Sequence, residues 1–153
     1  MGIRPTFSLA DIRKRLDAAQ QKIDAAVVQV LRRLGEMCVK EARENGGYMD
    51  QTGNLRSSIG YVIVVKGKIV ESVFSAANKD LNGQGESTGK AYAERLAGNY
   101  STGYALIVVA GMSYAAKVES MSKNVLTSAE MYAQKKLPNM LAQLKKNVDK
   151  MKL

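Results

Sequence analysis

The chain has 153 residues, 46% of them apolar and 24% charged, with a formal net charge of +9. That length suits one domain with a real core, and the balance is that of a folding chain rather than a disordered one. With no histidine and one cysteine, the sequence excludes imidazole zinc sites, Ser-His-Asp triads, Cys-His dyads and an internal disulfide.

No run approaches the ~20 apolar residues of a membrane span, and the opening MGIRPTFSLADIRKR lacks the apolar centre of a secretory signal. The expectation is a soluble protein made and kept in a cytoplasm. Ser8 and Asp11 form an N-cap pair, and Leu9, Ile12, Leu16, Ala19, Ile23, Ala26, Val30, Leu34 and Met37 recur at helical spacing. The pattern predicts a helix over 8–44, ended by Asn45-Gly46-Gly47. Unbroken, such a helix is roughly 50 Å long, whereas a domain of this size has a radius of gyration near ~15 Å. Unless Gly35 bends it, the helix overhangs its own domain and its apolar stripe calls for a neighbouring subunit. Cys38 lies on that stripe and reads as a buried, inert thiol.

Ile59–Val65 and Ile69–Ser75 are β-rich runs joined by Lys66-Gly67-Lys68, a hairpin over 59–75. The glycine- and serine-rich stretch 76–103 reads as an extended loop with a short helix from Lys90 to Ala97. Its Gly83-Gln-Gly85 segment has the spacing of neither a dinucleotide nor a P-loop motif. Strand 104–111 is apolar on both faces and is expected to lie centrally under a helix. A short helix over 112–120 follows, then a C-terminal amphipathic helix over 126–150 that opens with the capping box Thr127-Ser-Ala-Glu130 and kinks near Pro138. Together these elements predict a single α+β domain over 1–153: a long N-terminal helix, an antiparallel sheet of three or four strands with a long inserted loop, a short helix and a C-terminal helix.

Two stretches invite a functional reading. In Thr52-Gly53-Asn54-Leu55-Arg56-Ser57-Ser58-Ile59, a helical turn beside Arg56 could hold an anion. No general base or ligand set accompanies it and Asp50 adds negative charge, so the residues favour a structural elbow, with Leu55 and Ile59 pinning it to the core. The C-terminal lysines, among them Lys145, Lys146, Lys150 and Lys152, belong to residues 135 to 153, which hold +5 of the net charge. They are possible contacts for DNA phosphates or a solvated helix face, and the absence of aromatic residues after Tyr132 argues against base stacking. The acidic residues Asp80, Glu86, Glu94, Glu119 and Glu130 are scattered singly, and no spacing pairs them for acid/base chemistry.

The order of these features is more specific than any one of them. A long helix, the TG-x-L-x-x-S-I element at 52–59, a hairpin and then Tyr114-Ala115-Ala116-Lys117-Val118-Glu119 resemble the neck and tail-completion proteins of long-tailed bacteriophages. The resemblance spans roughly residues 8 to 150. It implies an α+β fold, no enzymatic activity and no cofactor, and a place in the virion after assembly in the host cytoplasm. It also implies a homo-oligomeric ring at the head-tail junction, with portal or adaptor and tail-tube or tail-terminator proteins as partners. Thr52, Gly53, Leu55, Arg56, Ser58, Ile59, Tyr114, Ala115, Val118 and Glu119 are then the candidates for motif and inter-subunit roles. The alternative reading is a cytoplasmic protein that binds nucleic acid without sequence preference through the basic C-terminal helix.

Overall fold

In the computed structural model of the chain, helix α1 (Leu9–Glu44) starts at the expected cap. The Ser8 hydroxyl accepts from the Asp11 amide while the Asp11 carboxylate accepts from the Ser8 amide. The structure describes residues 2, 6, 8–49, 52–76, 83–121 and 123–151; Asp50, Asp80 and Lys152 lie outside them. Beyond α1 come α2 (Asn54–Ser57), β1 (Ile59–Val65), β2 (Lys68–Val73), α3 (Gln84–Ala97), β3 (Tyr104–Ala110), α4 (Ala115–Ser120) and α5 (Thr127–Asp149). The fold is α+β: a long N-terminal helix, a three-stranded antiparallel sheet, a short helix and a C-terminal helix.

The strand order is β2-β1-β3, so the first strand of the hairpin is the central one and β3 is an edge. This corrects the expectation that β3 lies centrally. Both strands are apolar on both faces, but only β1 is buried along its whole length. On one face Tyr61, Ile63 and Val65 pack with Val28 and Leu31 of α1 and with Leu106 and Val108 of β3. On the other, Val62 and Val64 join Ile107 and Val109 beneath Ala93 and Ala97 of α3. The sheet is thus a middle layer between two helices, which period-2 strands without a polar face require.

Helix α3 occupies half of the stretch that composition reads as a loop, and it is core rather than extension. Its buried residues are Gly85, Gly89, Ala93 and Ala97, four apart on one face. A Cβ at Gly85 would collide with the Asn54 carbonyl, and one at Gly89 with the Ser58 carbonyl. The glycines that suggest a loop are instead what lets one backbone settle on another. Gly35 behaves similarly: α1 runs through it unbroken, and a Cβ there would lie 2.8 Å from the Tyr61 ring.

Helix α5 is also continuous across Pro138. Gln134, whose carbonyl loses its helical donor to the proline, lies exposed beside water. The half-buried Leu137, Met140 and Leu144 of α5 face α1, and Cys38 is buried where its thiol donates to the Ala129 carbonyl at 3.7 Å. Burial, with Glu41 nearby, pushes that thiol's pKa up, in keeping with an inert side chain. At its other end α1 leaves the domain: Leu9 is 76% and Leu16 63% exposed, and no residue from 9 to 18 is buried.

The departure point is held by Asp24, whose carboxylate accepts from the Tyr104 hydroxyl at 2.5 Å and from Gln20 at 2.8 Å, with Lys66 at 3.7 Å. The Tyr104 hydrogen bond, then Gln20 and Lys66, hold the Asp24 pKa below its ordinary value; burial and the same carboxylate push the Tyr104 phenol up to about 12. Because the folded carboxylate has the lower pKa, its contribution is complete above the unfolded value and is lost as pH falls through the depressed folded value. Tyr104→Phe should therefore move the Asp24 titration upward, toward an ordinary carboxylate, in a carbon-detected NMR titration; an unmoved midpoint would contradict the assignment. Gly89→Ala should destabilise the chain by about 2 kcal/mol in urea unfolding, overpacking against backbone exceeding the gain in helix propensity. The exposed Ser87→Ala on the same helix is the control and should change stability by less than about 0.5 kcal/mol.

Candidate functional site

The TG-x-L-x-x-S-I element is an elbow between α1 and the sheet. Gly53 takes φ +78° ahead of α2, a conformation that L side chains avoid, and the Thr52 hydroxyl accepts from the Asn54 amide at 3.4 Å. Leu55 and Ile59, four apart, enter the core cluster of Leu34, Cys38, Ala42 and Val125, pinning the elbow as the spacing implies. Ser57 and Ser58 are fully buried, and the Ser58 hydroxyl donates to the Leu55 carbonyl at 2.7 Å. Their small size admits α3. The Ser58 carbonyl accepts from the Gly111 amide at 3.2 Å, and a Cβ at Gly111 would collide with Gly89. Thus the elbow, α3 and the segment leading into the second motif meet backbone to backbone.

That packing divides the motif residues between interior and surface. Gly53, Leu55, Ser58, Ile59 and Ala115 are buried within the subunit. Thr52 and Tyr114 are exposed and Arg56, Val118 and Glu119 are half-buried. The guanidinium of Arg56 lies over the Tyr48 ring, 5.7 Å from its centroid, a cation–π contact rather than an anion cradle.

Glu119 has a role that local reading misses. Its carboxylate accepts from the amides of Val125 at 2.6 Å, Leu126 at 3.1 Å and Thr127 at 3.1 Å, and from the Thr127 hydroxyl. It therefore caps α5 from the preceding helix, and the Thr127/Glu130 capping box expected from the sequence does not form. One carboxylate satisfying several N–H groups at a positive helix end is the stronger arrangement. Asn124 completes the cap by accepting from the Ser128 amide at 3.0 Å.

Arg43 is the other residue that the sequence conceals. At the end of α1 it donates to the carbonyls of Ile59 at 3.0 Å and Ser75 at 2.6 Å and to the Ser75 hydroxyl at 3.0 Å. It thereby fastens the helix to the start of β1 and the chain leaving β2. Burial lowers its pKa, and nearby Arg56 adds to the effect while Tyr48 opposes it.

The two sequence motifs converge on one surface. Thr52 and Leu55 from the first and Tyr114 and Val118 from the second line a cleft of about 360 Å³ with Tyr48, Met49, Met121 and Lys123. Met49 is 86% and Met121 62% exposed at its rim. Unbranched methionines beside a tyrosine make an adaptable apolar surface. At the opposite end of the chain, Lys135, Lys136, Lys145 and Lys146 of α5 and its C-cap Lys150 are all exposed.

Replacing Glu119 by Ala should cost about 1–2 kcal/mol through loss of the α5 cap, read as a lower urea midpoint with an unchanged slope. Glu119→Gln, which keeps an acceptor oxygen, should recover part of that loss. Equal losses in the two variants would contradict a capping role.

Residues 10–119 match the HK97-gp10-like family, described as "Bacteriophage HK97-gp10, putative tail-component". The matched span takes in α1, the elbow, the whole sheet and the second motif, and it closes on the capping residue Glu119. No curated protein and no solved structure matches the chain. Among the described residues no helix is long and apolar enough to cross a membrane. The chain belongs to the HK97-gp10-like family of bacteriophage tail components, structural proteins of the virion.

Proposed function

We propose that this tail component works as a subunit of a closed ring in the neck of the virion, where it joins head to tail. The observation that carries the reading is surface. The chain exposes 10432 Å², whereas a compact monomer of 16.6 kDa is expected to expose about 7,600 Å². A ring subunit contributes two faces of about 800 Å² each at standard interface size, which the excess accommodates. The projecting turns of α1, with Leu9 76% and Leu16 63% exposed, and the methionine rim of the motif cleft are apolar surface of the kind such faces cover.

The geometry suits mechanical work. A rigid central strand clamped between helices transmits load without rearrangement, and cyclic contacts need a different patch on each side of the subunit. The motif cleft, with its adaptable methionines, is the surface offered to an adjoining portal, adaptor, tail-tube or terminator ring. The exposed lysines of α5 would meet DNA phosphates in the channel without reading bases.

Native mass spectrometry of the full chain at rising concentration, alone and with purified tails or portal, tests the ring. A single closed stoichiometry is expected. A monomer under all of these conditions would overturn the proposal.

A further inference from the structure

An apolar groove of about 670 Å³ runs between α1, α5 and the edge strand β3, with Val27, Leu31, Leu106, Leu137, Leu141 and Leu144 among its walls. Leu141 is 47% exposed there. Of the residues lining the groove, only Glu130 is charged. The same chain carries an exposed apolar helical stripe that is not buried by the other described residues: Leu9, Ile12 and Leu16, one face of the first turns of α1.

Resting on the ring reading above, we infer that the α1 stripe of one copy docks in the α1/α5/β3 groove of the next. Length supports the pairing. The stripe covers eight residues of helix, roughly 10 Å from Leu9 to Leu16, and the groove follows α1 from Val27 to Cys38, roughly 16 Å. Charge supports it too, because Arg13 and Arg15 flank the stripe on either side while the groove contributes Glu130. The stripe cannot enter its own groove, since α1 is continuous from Leu9 to Glu44 and both lie along it. Knob and socket on one chain at different places make a heterologous contact, the kind that propagates and closes into a ring. The apolar helix lies in an apolar cleft, and the hydrophobic effect drives the association.

The test uses the full chain with Leu16→Asp in the stripe or Leu141→Asp in the groove. Light scattering after size-exclusion chromatography gives the mass, and circular dichroism verifies folding. If Leu141→Asp loses helical signal, Leu141→Gln takes its place. Wild type is expected as the oligomer and each variant as a 16.6 kDa monomer. Mixing the two variants should yield a dimer of twice that mass and nothing larger, because one intact stripe meets one intact groove. An oligomer that survives Leu141→Asp, or a mixture that stays monomeric, overturns the docking while leaving the ring reading standing. A wild-type chain that is monomeric alone overturns the docking, and one that also stays monomeric with purified tails or portal overturns both.

Discussion

Everything in this structure is arranged around β1, a strand with no polar face. All seven of its residues are buried, so it must be covered above, below and along both edges. At roughly 1.5–3 kcal/mol for each fully buried valine or isoleucine side chain, this one strand anchors much of the core. The covering dictates the remainder: α1 supplies one face, α3 the other, and β2 and β3 supply the edges. To carry the chain from β2 to β3, on opposite sides of β1, the connection must cross the sheet, and α3 is that crossing. Its close fit against the elbow at Ser58 and against Gly111 then fixes where the two sequence motifs meet.

Seen this way, the family motifs have divided roles. Leu55, Ile59 and Ala115 are internal, and they set the angle at which α1 joins the sheet. Glu119 sets the start of α5 by occupying its unpaired amides. Thr52 and Tyr114, with Met49 and Met121, stay on the outside. A structural subunit needs such economy: rigidity inside, and adaptable contact at one patch. Helix α1 shows the same division along its length, with its last turns locked by Arg43 and its first turns projecting past the Asp24–Tyr104 bond.

Local features were legible from sequence and long-range ones were not. The 3.6-residue period and the Ser8/Asp11 box located α1, and the β-rich runs around Gly67 located the hairpin. Helix α3 was obscured because Gly85 and Gly89 lower helix propensity in isolation; their value lies in the Asn54 and Ser58 carbonyls opposite, which no local pattern reveals. Strand order failed for a like reason, since β1 and β3 are equally apolar and only the crossing by α3 distinguishes centre from edge. At α5 the Thr127/Glu130 box matched the local pattern, yet a carboxylate eight residues upstream of Thr127 took its place. Arg43 looked like an ordinary cation at a helix end, and its carbonyl partners at positions 59 and 75 lie far along the chain.

The proposed ring requires the projecting helix, open groove and methionine rim to acquire partners on assembly. Cryo-electron microscopy of the head-tail junction in the assembled particle tests this most directly. The account predicts a closed ring of this chain, with β1 buried inside each subunit, the first turns of α1 covered by a neighbour and the motif cleft against an adjoining ring. Particles that lack the chain at the junction, or that hold it there as isolated copies with the α1 stripe in solvent, would contradict it.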